Sequence, residues 1–367
     1  MSIAENPFTP SFGEMPAHLA GRKDIINSVQ TAFSSSSRSP ELTCMFSGAR
    51  GTGKTTLMSF LISKAEAQGW ISANTTAMPG MLEDLEISII DKASDLVDVS
   101  SATKKTRVSG VSVSHIGSVT FDSTDNTKSN WRSRVAKILD LLAEQSTGLL
   151  ITVDEIDPSL SELVELVAVY QHFVRERRRV SLLMAGLPSA TSALMTNKTV
   201  SFIRRASLFD LRQIDDFYIE EALRKTIREN GRSADDAGIE AAVSAIAGFP
   251  FLLQLVGYRA WNVNPATEKI SCNDFEEGIH IAQREMKARI LDATYLELSD
   301  SDKLFLSAML QDEKDSKTAD LVKRLQWSDS QVAQYRRRLI TAGIIGSRGR
   351  GAVGFDMPFF REFLEDS

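Results

Sequence analysis

The sequence predicts an α/β chain: a parallel sheet with helices on both faces, then a helical region, then a small helical module ending in a hairpin. Three observations lead there. Between about residues 42 and 211, apolar runs of strand length alternate with longer helical segments, the order that buries a parallel sheet between helices. After residue 212 the strand-like runs give way to helical spacing. Beyond Leu298 the elements become short and finish in a stretch that alternates glycine, arginine and apolar residues, Gly346–Met357.

The elements follow in order. Residues 1–16 carry three prolines and no hydrophobic period, so an extended arm is expected. Ile25, Ile26, Val29 and Phe33 recur at three and four, which predicts a helix over 22–33. A serine run, Ser34 to Ser37, loops into the first strand, Leu42–Phe46. Further strands are expected at Ile71–Thr75, Leu149–Val153, Val180–Ala185 and Ser207–Leu211, with helices at 54–67, 81–97, 131–145, 159–179 and 188–196. Residues 98–130 hold 13 Ser or Thr, with Val108, Val111 and Val113 among polar neighbours, and predict an inserted polar β-hairpin. Helices at 215–230, 235–247 and 251–261 form a three-helix group, and a long helix is expected from Asn273 to Glu297. Three short helices then start near Ser301, Thr318 and Ser330. The domain boundaries that result are 1–212, with an insertion at about 98–130, then 213–297 and 298–367.

Composition excludes several classes. The 367 residues, at about 150 per domain, suggest two or three domains. Forty-two Lys and Arg against 48 Asp and Glu leave a net charge of -6, which excludes coating of nucleic acid by bulk positive charge but not a local basic patch. Two cysteines, Cys44 and Cys272, make no disulfide framework and no metal-ligand spacing. The uncharged run from Ala241 to Tyr258 is interrupted by Gly248, Pro250 and Gln254, so it predicts two short buried helices rather than a membrane span. With no signal-peptide pattern, a cytoplasmic protein is expected.

Chemistry concentrates in one motif. Gly48-Ala49-Arg50-Gly51-Thr52-Gly53-Lys54-Thr55 follows a strand and opens a helix, the setting in which G-x-x-x-x-G-K-[ST] cradles phosphates. Its backbone N–H groups would converge on phosphate oxygens at a helix N-terminus. Lys54 would neutralise the outer phosphates, Thr55 would place a hydroxyl on Mg²⁺, and Thr56 would extend the binding turn. The run Leu149-Leu150-Ile151-Thr152-Val153-Asp154-Glu155 carries two carboxylates to the C-terminal edge of the sheet. Asp154 would hold Mg²⁺ through water, and Glu155 would orient or deprotonate an attacking water. Arg204 and Arg205, just before the fifth strand, are candidates for an arginine that reaches the γ-phosphate, within the chain or across an interface. The cluster Arg175, Arg177, Arg178 and Arg179 at a helix end fits a solvated face that complements the helix dipole.

With these residues in place the sequence resembles the AAA+/STAND branch of P-loop ATPases, and more narrowly the bacterial and archaeal-type ATPases related to origin-recognition initiators. The resemblance runs from about residue 7 to 367. It implies an AAA+-like P-loop NTPase core with a five-stranded parallel sheet, the phosphate-loop strand central, an α-helical lid and a C-terminal winged helix. It also implies ATP/ADP and Mg²⁺ as cofactors and ATP hydrolysis to ADP and phosphate. Pro16-Ala17-His18-Leu19-Ala20-Gly21-Arg22 resembles the box that packs near adenine, which adds Gly21 and Arg22 to the nucleotide site. Gly248-Phe249-Pro250 resembles the G-x-P signature of the lid, which adds Pro250. Two departures from the family pattern imply slow turnover. The fourth strand ends Met184-Ala185-Gly186-Leu187 with no polar sensor, and Phe251 stands where a second-sensor arginine is usual.

Residues 298–367 resemble a winged helix-turn-helix. Ser328 and Gln331 have capping-box spacing, and Val332, Tyr335 and Leu339 form the core stripe of the third helix. Gln331, Gln334, Arg337 and Arg338, with Arg348 and Arg350 on the wing, would contact double-stranded DNA. From Ser330 to Phe355 there are five arginines and no acid, yet residues 297–367 together hold 11 basic and 12 acidic residues. Two functions therefore stay open: an ATPase switch acting on DNA, or a STAND-like signalling or defence ATPase whose winged helix mediates self-association, partner binding or autoinhibition.

Overall fold

The computed structural model describes residues 5–11, 14–99 and 127–366, with side chains from residue 131 onward in the last segment. Five strands, β1 (Thr43–Ser47), β2 (Trp70–Thr76), β3 (Gly148–Asp154), β4 (Val180–Gly186) and β5 (Ser207–Asp210), form one parallel sheet in the order β2-β3-β4-β1-β5. The phosphate-loop strand β1 is thus interior, between β4 and β5, while β4 takes the central place expected of β1. Both neighbours align with its end, Ser47 opposite Gly186 on one side and Asp210 on the other.

Strand residues alternate between two cores, as the two-residue period of a strand requires. Met45, Leu149, Ile151, Val153 and Met184 pack under the helices Met81–Ser94, Thr127–Glu144 and Ser161–Arg175. Cys44, Phe46, Leu150, Leu183 and Ala185 face the helices Lys23–Ser34 and Lys54–Glu66. Burial on both faces explains why β3 reads as an apolar run interrupted only by Thr152, and each buried apolar side chain contributes about 1.5–3 kcal/mol.

Beyond β5 the helices Asp216–Glu229, Asp236–Ile246 and Pro250–Val263 pack with a two-stranded ladder, β6 (Ser233–Ala234) and β7 (Lys269–Ile270). The uncharged run is broken as expected: Ala247 and Gly248 both take positive φ, and Pro250 starts the next helix. No helix among the described residues is long and apolar enough to cross a membrane. The expected long helix is interrupted. It runs Cys272–Met286, passes through a π-helical turn at Lys287–Leu291, and ends as Asp292–Leu296.

The last segment holds the helices Asp300–Met309, Thr318–Leu325 and Asp329–Thr341, with β8 (Ser316–Lys317), β9 (Ile345–Ser347) and β10 (Ala352–Phe355). The hairpin β9–β10 is antiparallel, and β8 joins its far side to give the order β8-β10-β9. Two elements were not expected from the sequence: β8, and a closing helix Phe360–Glu365.

The arm is also better anchored than its composition suggests. Phe8 is 2% exposed against Trp261, and Asn6 and Thr9 hydrogen-bond to Tyr258 and Gln254 on the helix Pro250–Val263. The expected hairpin falls largely on residues 100–126, outside the described residues. Its last positions, 127–130, already belong to the helix Thr127–Glu144.

One hydrophobic cluster joins the region after β5 to the C-terminal segment. It includes Leu252, Trp261, Phe275, Phe305, Leu339 and Phe360, all fully buried.

Candidate active site

β1 delivers the chain into the loop Gly48–Thr55, and the helix Lys54–Glu66 leaves it. Gly51 and Gly53 take φ of 79° and 82°, a left-handed turn that L side chains rarely adopt, and so aim successive N–H groups toward one side. The Lys54 ammonium folds over its own loop, donating to the carbonyls of Gly48 (2.9 Å) and Ala49 (2.7 Å). Burial holds its pKa below the ordinary lysine value, against the opposing pull of Asp154 and Glu155. Thr52 is buried and its hydroxyl donates to Ala49 O (2.9 Å), which closes the loop from within.

Asp154 connects the two motifs. The Thr55 hydroxyl donates to Asp154 Oδ2 at 2.5 Å, and the Glu155 N–H donates to Asp154 Oδ1 at 2.8 Å. One carboxylate thereby ties the first turn of the phosphate-loop helix to the end of β3. Glu155 itself has φ of 50° and an exposed side chain. Its backbone is held by Asp154, and its carboxylate acts on Lys54 through its charge. Thr56 is half-buried one position further along the helix.

The end of β4, where a polar sensor is usual in the family the sequence resembles, is apolar here. Ile156 lies over Gly186, so close that a Cβ on the glycine would fall 2.4 Å from its Cγ1. Polar groups near that end are Ser47, the register partner of Gly186, and Thr191, 3% exposed, whose hydroxyl donates to Ser47 Oγ at 3.1 Å just before the loop. No sequence signal points to that pair, because nothing local connects residues 144 positions apart.

Two of the expected contributors from outside the core meet the loop. Arg22 donates to Arg212 O (2.7 Å) and to Thr52 O (3.4 Å); burial lowers its pKa, with Asp210 opposing. Gly21 lies against Ile214 and Tyr218. Phe249 and Pro250 cover the loop: a Cβ on Gly51 would lie 3.6 Å from Phe249, and one on Gly53 would lie 3.5 Å from Pro250. Arg204 and Arg205 are exposed and are not brought to the loop. Arg204 Nε donates instead to Met195 O (2.9 Å).

The end of the connecting helix and the C-terminal segment also reach the loop, which the sequence did not indicate. Arg50 pairs with Glu297 at 2.8 Å, and Gly343 sits so close to Ala49 that a Cβ on it would lie 2.2 Å from Ala49 Cβ. Gln213 donates to Asp356 O (3.0 Å).

The residues expected to meet DNA divide into two sets. Gln334, Arg337 and Arg350 are exposed. Arg338 pairs with the buried Asp302 (3.0 Å), Arg348 pairs with Asp356 (2.6 Å) and Asp315 (3.6 Å), and Gln331 completes a capping box with Ser328. Among the described residues no cluster of three or more His, Cys, Asp or Glu could hold a metal ion.

Comparison with known proteins adds the following. Residues 288–364 match the model of a domain of unknown function, DUF8462. No curated protein matches the chain. Among solved structures the chain is similar to the Walker-type ATPase paby2304 of Pyrococcus abyssi, at 14% identity, covering 95% of this chain and 96% of that one, with a TM-score of 0.67. It is similar to Cdc6p of Pyrobaculum aerophilum at 13% identity, over 97% of each chain, with a TM-score of 0.51. It is also similar to the ORC2 protein of Aeropyrum pernix at 12% identity, over 97% and 96%, with a TM-score of 0.50. The core sheet order and these likenesses give the chain the AAA+-type P-loop ATPase fold.

Proposed function

We propose that the chain binds ATP with Mg²⁺, hydrolyses it slowly to ADP and phosphate, and works as a nucleotide switch whose output is its C-terminal segment. The observation that carries this reading is the Thr55–Asp154 hydrogen bond, which joins the phosphate loop to the acidic end of β3. A hydroxyl and a carboxylate are hard oxygen donors, the set that Mg²⁺ takes beside phosphates. When bound, Mg²⁺ supplies charge neutralisation to the outer phosphates. Lys54 and the loop N–H groups bind those phosphates, Asp154 holds Thr55 in place, and Glu155 orients an attacking water. The ADPNP-ADP complexes of the Aeropyrum pernix ORC2 protein support a nucleotide at this loop. The apolar end of β4 and the lack of an arginine after Pro250 support slow turnover.

We read the chain as a core (1–212), a lid with its connecting helix (213–297) and a winged helix-turn-helix (298–367). The order helix, strand, helix, helix, strand, strand across Asp300–Phe355 supports the last assignment. Exposed Gln334, Arg337 and Arg350 support duplex DNA as its target. A second reading, output through protein contacts, is favoured by the ion pairs that engage Arg338 and Arg348 within the chain.

The test is retardation of a labelled duplex with ATP, ADP or no nucleotide over a range of salt, for wild type and for Arg337, Arg338, Arg348 and Arg350 reversed to Glu. If only Arg337 and Arg350 meet phosphates, log K falls against log salt with a slope of about -1.8, and if all four do, about -3.6. Nucleotide-dependent retardation that the reversal abolishes supports the DNA reading. ATP binding with no retardation in any state moves the output to protein contacts. A wild type that binds no ATP overturns the proposed function.

A further inference from the structure

The four arginines at the end of the helix Ser161–Arg175 play no part in the nucleotide site. Two are fastened within the chain, Arg178 to Asp140 and Glu176, and Arg179 over the Trp70 ring. Arg175 and Arg177 are exposed and make no ion pair among the described residues. Arg177 takes a φ of 58°, the left-handed turn that ends helices and favours glycine, so an arginine is kept there against backbone preference. Beside them lies a groove of about 840 Å³ between this helix and Thr127–Glu144. Ala136, Val164 and Ala168, all half-buried, form its apolar floor. Glu176 on its wall is neutralised by Arg178 and Arg132, both at 2.7 Å, which hold its carboxyl below the usual range. Glu165, the other wall acid, lies about three turns back along the helix, so the end nearest Arg175 and Arg177 is cationic.

A second helix carries the opposite charge. Along Met81–Ser94 and its cap, Glu83, Ile87, Asp91 and Asp95 recur every four residues and so run along one side. All four are exposed, Ile87 at 59%, and Leu96 just beyond is 51% exposed. Glu86 on this helix is tied to Arg134, whereas Glu83, Asp91 and Asp95 meet no cation among the described residues. This helix and both walls of the groove cover the same side of the sheet, since all three pack on one hydrophobic cluster.

We propose that the groove takes the Glu83–Asp95 ridge of a second copy of this chain, in a twofold dimer formed through this helix layer. Because ridge and groove lie on one side of the sheet, a single twofold axis sets each copy's ridge in the other's groove. Ile87 then meets the apolar floor, and the carboxylates meet Arg175 and Arg177. Acids and arginines left unpaired on the same layer complement each other, and that selects a second copy over a foreign partner. None of these residues belongs to the phosphate loop, the lid or the C-terminal segment, so the dimer forms with or without nucleotide.

Sedimentation equilibrium of the full chain over a range of concentration, without nucleotide and with ATP, tests the proposal. Wild type is expected to form a dimer that weakens with added salt. Arg175→Glu with Arg177→Glu should weaken it about thirtyfold or more, because twofold symmetry counts each reversal twice and turns attraction into repulsion. Glu83→Lys with Asp91→Lys should do the same. Mixing these two variants in equal amounts should restore a heterodimer, which has one contact of wild-type charges and one with the charges exchanged. That recovery also shows that both variants are folded. Wild type that stays monomeric up to about 0.1 mM overturns the inference and leaves the groove to another occupant. A dimer indifferent to the substitutions, or a mixture that stays monomeric, overturns it as well. A chain that dimerises in this way but binds no ATP overturns the proposed function and leaves this inference standing.

Discussion

Replacing Glu155 separates a backbone effect from a chemical one. With φ of 50°, this residue occupies the left-handed region, which costs a side chain-bearing residue about 1–2 kcal/mol. Glycine removes that cost but returns about 0.5–1 kcal/mol to the unfolded chain as backbone entropy. The net expectation for Glu155→Gly is a gain of about 0.5–1 kcal/mol over Glu155→Gln, which lacks the carboxylate but keeps the strain. The N–H bond to Asp154 Oδ1 survives in both variants, because its donor is main chain. Urea unfolding followed by tryptophan fluorescence reads the difference; with slopes of about 1–3 kcal/mol/M, the midpoint of the glycine variant should lie about 0.2–1 M higher. Both variants should bind ATP and hydrolyse it far more slowly than wild type. A glycine variant no more stable than the glutamine one would refute the strain argument, and wild-type turnover in either would remove Glu155 from the chemistry. Strain retained at such a position fits a residue kept for function rather than for stability.

Two other outcomes follow from the geometry. Phe8→Ala should cost about 3 kcal/mol or more, because the ring is buried against Trp261 and Gly257; a thermal melt that shifts only slightly would mean that the arm leaves its seat in solution. Burial sets the folded pKa of Lys54 below the ordinary 10.5, so the folded chain releases this proton first: stability contributed by Lys54 rises as pH climbs through that interval, while ATP affinity falls with the lost charge. Nucleotide titration from neutral to alkaline pH checks it, and Lys54→Arg, which keeps its charge, should flatten the profile.

What could be read from the residues was whatever is written locally. Leu149–Val153 is apolar but for Thr152 because β3 is covered on both sides, and the strand, loop and helix around Gly48–Thr55 are consecutive in the chain, so the sequence placed them within a residue or two. Asp154 was legible for the same reason, as the polar end of an apolar run. The rest depends on contacts between distant segments. Glu297 and Gly343 carry no motif, yet they lie against Arg50 and Ala49 across more than 240 positions. Phe8 looked like an arm residue because two aromatics scattered among prolines have no period to reveal burial. The strand β8 is two residues long and could not have stood out from a turn. Arg338 and Arg348 read as free cations because Asp302 and Asp356 approach them only through the fold.

The same contacts suggest how this site differs from one governed by charged sensors. A polar group at the end of β4 would report directly on the outer phosphate, but Ile156 fills that place over Gly186. An arginine after Pro250 would do so from the lid, but Phe251 there packs into the hydrophobic cluster of the lid. Apart from Arg22 on Thr52 and the Arg50–Glu297 pair, what rests against the loop is shape: Phe249 on Gly51, Pro250 on Gly53 and Gly343 on Ala49. Contacts of this kind respond to the path of the backbone rather than to a single phosphate oxygen. Because the atoms in them are close-packed, a shift of a fraction of an ångström in the loop must be taken up by the body that rests on it. A nucleotide that reshapes the loop would therefore act on lid and C-terminal segment together, through the core they share, and the outcome would depend more on whether the loop is filled than on how fast its contents are cleaved.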